Sequence, residues 1–247
     1  MKFSVVIPMF NEKDIIESCA SSLSSALEEF SEKHRAEYEI IFSDDGSTDG
    51  SGDIILRYKE KTKLPHGVIR LVSSAKNCGK GHAVRLGMLE ADGDYMLFTD
   101  SDLAYGTAAV CDILDMISSP DNTSDIVIGS RAASNDGYRG YSTARKIASK
   151  TYVKFLSAFA GFDHTDSQCG IKAFRKDAAK KLFGCAKECG WAFDFEILLL
   201  AKEFGISVDE YPVSVINHRE SKIHLLHDSL KMLSDVRQIK KRIKNIH

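Results

Sequence analysis

Two carboxylates one residue apart, Asp100 and Asp102, close the apolar run Tyr95-Met96-Leu97-Phe98-Thr99. Such a run reads as a strand covered on both faces, so charge emerges only where the strand ends. Oxygen donors at this spacing suit a hard divalent cation, Mg²⁺ or Mn²⁺, especially when diphosphate oxygens complete the shell. The competing reading is a solvated Asp-Ser-Asp turn whose side chains satisfy nearby amides, and for an isolated tripeptide that reading is the better one. Its company tips the balance. Pro8, Phe10, Asn11 and Glu12 follow one apolar run, Asp44 and Asp45 a second, Gly79 and Lys80 a third, and Arg131 a fourth. Ligands in α/β proteins bind beyond the carboxyl ends of the strands. A nucleotide fits such an edge, with Asp45 accepting from a ribose or base edge and a glycine turn admitting backbone close to the ligand. Neither G-x-x-x-x-G-K-[ST] nor a G-x-G-x-x-G turn after the first strand occurs.

The elements that must position these groups alternate along the chain. Phe3 to Pro8 reads as a strand stopped by proline, with Asn11 capping a helix opened by Glu12 and Asp14 and running to about Phe30. Strands are expected over Tyr38–Ser43, Val68–Val72, Tyr95–Thr99, Asp125–Arg131 and Val208–Val215, with Asp166–Lys172 in strand or turn. Ser47 to Asp49 suit the cap of a second helix, Asn77 to Gly81 lead into a third through Val84 and Leu89, and Thr107–Ser118 reads as a fourth. Ala132 to Tyr141 is a Gly/Ser/Asn-rich loop and a candidate lid, followed by a helix through Ile147, Tyr152, Phe155 and Phe159, then one from Trp191 to Phe204. This rhythm describes a Rossmann-like α/β domain over 1–221, its mostly parallel sheet flanked by helices, with a C-terminal basic amphipathic helix over 222–247.

Composition agrees with one large domain: 247 residues, 43% hydrophobic, formal net charge −2. No apolar run reaches the roughly 18 to 20 residues of a spanning helix, and the amino terminus enters a strand pattern directly, so a cytoplasmic protein is expected. The six cysteines include no C-x-x-C pair and suit reduced thiols; Cys185 and Cys189 lack a second ligand pair, which argues against zinc. Charge is unevenly spread. Residues 222–247 hold seven Lys/Arg and two Asp, leaving 26 basic and 33 acidic residues elsewhere. Leu226, Leu230, Leu233, Val236, Ile239, Ile243 and Ile246 recur opposite Lys231, Lys240, Lys241 and Lys244, a pattern that serves either a closing helix packed on the domain or one lying on an anionic membrane. Nucleic acid is not expected, since no recognition fold or interleaved aromatics accompanies the charge.

Val-Ile-Pro-Met-Phe-Asn-Glu (6–12), Asp-Asp-Gly-Ser (44–47) and Asp-Ser-Asp (100–102) resemble the nucleotide-sugar half of family-two inverting glycosyltransferases of GT-A-type fold. Residues 77–87, Ile-Gly-Ser-Arg (128–131), Asp-Ser-Gln-Cys-Gly-Ile-Lys (166–172), Trp-Ala-Phe-Asp-Phe-Glu (191–196) and Ser-Lys (221–222) resemble more narrowly the dolichyl-phosphate β-glucosyltransferases, in the polyprenyl-phosphate branch. The resemblance implies glucose transfer from UDP-glucose to a polyprenyl or dolichyl phosphate at a membrane surface. It implies Asp102 on the metal, Asp100 near metal, sugar or ribose, and Pro8, Phe10, Asn11, Glu12, Asp44, Asp45, Gly79, Lys80 and Gln168 around the donor. Arg131, Arg219, Ser221 and Lys222 would then meet the acceptor phosphate, with Asp194 binding sugar hydroxyls or orienting cations. Related mannosyl-phosphate lipid synthases often carry a metal-binding amide two residues after the second Asp, where this chain has Ala104. A hydroxyl acceptor would instead call for a general base, for which Asp194 and Asp166 are the candidates. Transfer to a soluble saccharide, and a non-catalytic nucleotide-sugar-binding protein, are the alternative readings; oligomeric state is not legible.

Overall fold

Successive side chains of a strand point to opposite faces, and in β1 (Lys2–Met9) the two sets enter different cores. Phe3, Val5, Ile7 and Met9 pack in one core and Val6 in the other. This is the signature of a sheet covered by helices on both sides. The computed structural model describes residues 1–134, 136–138, 165–217 and 235–244. In chain order the elements are β1, α1 (Ile16–His34), β2 (Glu37–Asp44), α2 (Ser51–Lys61), β3 (Gly67–Ser73), α3 (Lys80–Glu90), β4 (Tyr95–Thr99), α4 (Gly106–Ser118), β5 (Ile126–Ser130), β6 (Ile171–Arg175), α5 (Lys176–Cys185), α6 (Phe193–Glu203) and β7 (Val208–Pro212). A final helix, α7, covers 235–243.

The sheet runs β3-β2-β1-β4-β6-β5-β7. All neighbours pair in parallel except β6, which is antiparallel to both β4 and β5. The expected mostly parallel sheet is therefore present, with one reversed strand that the sequence reading left open between strand and turn. Helix α5 was not anticipated, although Ala178, Ala179, Leu182 and Phe183, all buried, repeat at helical spacing. Helices α1 and α4 cover the first core; α3, α5, α6 and α7 cover the second. At the centre of the second core Phe98 is fully buried with Phe174, Phe183 and Phe193 around its ring. Removing such a ring costs about 3–5 kcal/mol.

Helix α7 buries Val236, Ile239 and Ile243 in that core and turns Arg237, Lys241 and Lys244 outward. Its described part is thus packed on the domain. Arg242 fixes it further, donating from Nη2 to Glu196 Oε1 at 2.8 Å. The expected helix through Ile147, Tyr152, Phe155 and Phe159 lies outside the described residues.

Candidate functional site

Strand order reverses between β1 and β4: the chain proceeds from β1 to β2 and β3 on one side, and from β4 to the other strands on the other. Such a switch point opens a crevice beyond the carboxyl ends of its strands. Phe10-Asn11-Glu12 leaves β1 there and Asp100-Ser101-Asp102 leaves β4. The expected capping role of Asn11 does not hold, because α1 begins only at Ile16. Asn11 instead takes a left-handed φ of 53° and staples two loops, its amide donating to Ser47 Oγ and its Oδ1 accepting from Thr48 N, both at 2.9 Å. The Glu12 amide donates to Ser51 Oγ at 2.9 Å in the same manner. Pro8 lies buried opposite Ser43 near the end of β1, and Phe10 exposes 38% of its surface at the rim.

Asp44 ends β2 and Asp45 follows it, both buried. Asp44 Oδ1 accepts from Ser47 N at 2.9 Å. Both oxygens of Asp45 accept from Cys78 N at 3.0–3.1 Å, and Oδ2 also accepts from Gly79 N at 2.6 Å. Asp45, expected to face a ribose or base, thus also organises the glycine turn. Gly79 has φ +112°, and a Cβ there would meet Cys189 O at 2.4 Å, so no other residue fits.

The turn after β4 is held from two sides. Leu103, at φ 45°, donates its amide to Asp100 O at 3.0 Å, and Ala104 N donates to Asp102 Oδ1 at 3.1 Å. From beyond β7, Asn217 Nδ2 donates to Leu103 O at 2.9 Å and to Asp102 O at 3.3 Å, while Ile216 N donates to Ala104 O at 2.8 Å. Ala104 thus contributes its carbonyl to the strap that follows β7.

Because Thr99 pairs with Ile171 across β4 and β6, Asp100 comes to lie against Gly170. A Cβ on Gly170 would sit 2.4 Å from Asp100 Oδ2. The other carboxylate oxygen, Oδ1, accepts an ion pair from Lys80 Nζ at 2.6 Å. Lys80 also lies 5.2 Å from the Trp191 ring centroid, within cation–π range. Burial disfavours its charge, but Asp100, Asp194 and Asp102 outweigh that and raise its pKa above the ordinary lysine value. Behind it, fully buried Lys172 donates from Nζ to Asp194 Oδ1 at 2.5 Å and to Cys169 O at 2.6 Å. Burial raises the pKa of Asp194 in spite of Lys172 and Lys80. Positive and negative groups therefore alternate inward from the sheet edge.

Arg131, at the end of β5, grips Asp166 with Nε at 2.6 Å and Nη2 at 2.8 Å, and Asp166 also accepts its backbone amide at 3.0 Å. Burial drives the pKa of neighbouring Tyr105 well above its ordinary value. Gln168, two residues past Asp166, carries a buried Nε2 with no hydrogen-bond partner among the described residues. An orphaned donor at a cleft is what a sugar hydroxyl or phosphate oxygen would satisfy.

Asp45, Lys80, Asp100, Asp102, Arg131, Gln168 and Asp194 are thus tied to one edge of the sheet. Arg219, Ser221 and Lys222 lie outside the described residues; of the candidate lid, residues 132–134 and 136–138 are described, with Ser134 Oγ 2.8 Å from Ser214 Oγ. Lys172, Asn217 and Glu196 were not singled out from the sequence. Glu196 Oε2 accepts from Lys187 N at 2.9 Å and Glu188 N at 2.6 Å, bracing the loop behind the glycine turn. The donor set fits a hard divalent ion: two carboxylates share one turn, and an ammonium already rests on one of them where positive charge is required.

The family model for glycosyl transferase family 2 matches residues 4–183. The chain is 35% identical to the dolichyl-phosphate beta-glucosyltransferase of Saccharomyces cerevisiae, over 94% of this chain and 72% of that protein. It is 34% identical to the Dictyostelium discoideum protein of the same name, over 96% and 73%. Among solved structures it resembles glucosyl-3-phosphoglycerate synthase from Mycobacterium tuberculosis in complex with Mn²⁺, UDP and phosphoglyceric acid, with TM-score 0.70, 19% identity, and coverage of 96% of this chain and 78% of that one. The same enzyme with Mn²⁺, UDP-glucose and phosphoglyceric acid gives TM-score 0.69. These likenesses establish the GT-A fold.

Proposed function

The chain belongs to glycosyl transferase family 2, and from that premise we propose that it transfers glucose, with inversion, from UDP-glucose to the phosphate of a polyprenyl or dolichyl lipid. The observation that carries the choice of acceptor is the state of the two carboxylates suited to act as base. Asp166 has no exposed surface and gives both oxygens to Arg131, and Asp194 is buried on Lys172. A hydroxyl acceptor needs a proton removed; a phosphate monoester is already anionic near neutral pH.

One acceptor phosphate oxygen attacks the anomeric carbon, the bond from that carbon to the diphosphate oxygen breaks, and its electron pair leaves with UDP. No proton transfer is required. A divalent ion held by Asp102 and Asp100, Mg²⁺ or Mn²⁺, would supply charge neutralisation at the diphosphate. Lys80 brings a second positive charge to the leaving side, where preorganised charge is most effective. Gln168 Nε2 donates to the donor sugar or phosphate. Pro8, Phe10, Asn11, Glu12, Asp44 and Asp45 form the nucleoside rim, with Gly79 allowing the backbone to approach. Arg131, Arg219, Ser221 and Lys222 receive the acceptor phosphate, and Asp194 positions Lys80. UDP and glucose are preferred because UDP-glucose is bound by the structural neighbour and the relatives are glucosyltransferases by name.

We further propose that the domain over 1–221 works at the cytoplasmic face of a membrane, with 222–247 as the attachment segment. Arg237, Lys240, Lys241 and Lys244 line one basic surface of α7, and no helix among the described residues is long and apolar enough to cross a bilayer.

Incubation with labelled UDP-glucose, divalent ion and a short polyprenyl phosphate tests the reaction. Label should move into the organic phase, and Asp102→Ala should abolish that movement. Label confined to the aqueous phase as a saccharide product overturns the lipid-phosphate reading. A thermal-shift screen of UDP-, GDP- and TDP-sugars, with and without Mg²⁺ or Mn²⁺, tests the donor.

A further inference from the structure

Asp45, Cys78 and His82 each bring a ligand atom to a common point, all within 4.8 Å of one another. A tetrahedral ion with bonds of about 2.0–2.3 Å draws such atoms to roughly 3.3–3.8 Å, about an ångström of closure. The three come from different segments: the end of β2, the glycine turn and the first turn of α3. No C-x-x-C or H-x-x-x-H spacing announces them.

Two of the three side chains are already held. The amides of Cys78 and Gly79 orient the Asp45 carboxylate, which as a four-site acceptor retains capacity for an ion. Ser74 Oγ lies 2.9 Å from His82 Nε2 and steadies the ring, and the His82 amide donates to Cys189 O at 3.2 Å. Outer partners of this kind are what position metal ligands. The ligand set also differs in kind from that after β4. Asp100 and Asp102 offer only hard oxygen, whereas thiolate, imidazole and carboxylate together select a borderline ion such as Zn²⁺.

We propose that Asp45, Cys78 and His82 form a zinc-type site separate from the Asp100/Asp102 turn, and that its occupancy opposes donor binding. Binding converts the Cys78 thiol to thiolate and releases its proton to solvent. The fourth position is left to water. The effect on the donor rests on the proposed function, because Asp45 and Gly79 are assigned there to the nucleotide rim; the site itself does not.

Cobalt is the probe. Co²⁺ added to the full chain should produce a thiolate-to-cobalt charge-transfer band in the near ultraviolet, at one equivalent, displaced by Zn²⁺. Asp102→Ala should retain the band, because an all-oxygen site produces none, and Cys189→Ser should retain it as well. Cys78→Ser should remove it. His82→Asn should weaken Co²⁺ binding at least tenfold, the scale on which even outer partners act. Absence of the band in the wild type, or its loss in Cys189→Ser, overturns the site. UDP binding followed by calorimetry should weaken at least tenfold with Zn²⁺ bound. Unchanged UDP affinity overturns the antagonism, and a chain that takes cobalt but never binds UDP refutes the donor assignment while leaving the metal site standing.

Discussion

Lys172 shows what a buried charge does when its partner is fixed. It has no exposed surface and spends its ammonium on Asp194 Oδ1 at 2.5 Å and Cys169 O at 2.6 Å. Lys172→Met therefore leaves Asp194 uncompensated and should lower stability by about 3–5 kcal/mol. A urea denaturation midpoint measures this, and Lys172→Met/Asp194→Leu should recover part of the loss, since the two costs are coupled. Lys80 is a different case, poised over Asp100 at the cleft. Lys80→Met should lower kcat by about 10²-fold with a smaller effect on stability, the expected cost of one lost preorganised charge. Steady-state kinetics with UDP-glucose and polyprenyl phosphate reads the first, and a urea denaturation midpoint the second. The strand-end positions of Asp100, Asp102 and Arg131 were legible in the sequence because charge directly after an apolar run is conspicuous. Lys172 was not, because nothing in the linear order of residues places it beside Asp194, twenty-two positions on.

Among the elements, the strap after β7 and the turn after β4 work as a unit. Leu103 holds a positive φ that a side chain resists, and Asn217 donates to the carbonyls on either side of it. Asn217→Ala should release that turn and weaken Mn²⁺-dependent donor binding about tenfold, with a smaller loss in metal-free UDP affinity; calorimetry with and without Mn²⁺ separates the two. At the opposite end of the strands, Glu39 joins three elements, accepting from Ser4 Oγ at 2.7 Å, Arg70 Nη1 at 2.8 Å and Asp92 N at 2.8 Å. Burial opposes its charge, but Arg70, Ser4 and the Asp92 amide prevail and lower its pKa. A lowered folded-state value means that the stabilisation is present above the unfolded pKa of about 4.3 and is lost as pH falls below it. Glu39→Gln should cost about 3 kcal/mol at neutral pH and flatten the acid limb of a Tm-against-pH curve. The strands themselves were readable from apolar runs. The direction of β6 was not, because side-chain alternation is the same in a parallel and an antiparallel strand. Asn11 misled as a cap because its residue type favours both a helix start and a left-handed turn, and the contacts with Ser47 and Thr48 decide between them.

For the whole molecule, the proposed function asks how an acidic body would meet an anionic membrane. The basic face of α7 carries Arg237, Lys240, Lys241 and Lys244, while Val236, Ile239 and Ile243 are committed to the core. The membrane attachment proposed for this segment would therefore be electrostatic where α7 carries it. Replacing all four basic residues by Gln should weaken binding to phosphatidylserine vesicles by up to about 4 kcal/mol, near 10³-fold. Binding of the wild type should fall steeply as salt rises; vesicle sedimentation shows both, and a salt-independent interaction would contradict the assignment. One feature of the sheet also bears on how this molecule can be changed. Because β6 runs backwards, the chain departs from β5 and returns to β6 at the same rim, and the Arg131–Asp166 clasp joins the two feet of that excursion. A buried ion pair thus fixes where the excursion begins and where it ends. Substitution at either partner of the clasp therefore reaches both feet at once, and Asp166→Asn should displace the end of β5 and the entry to β6 together.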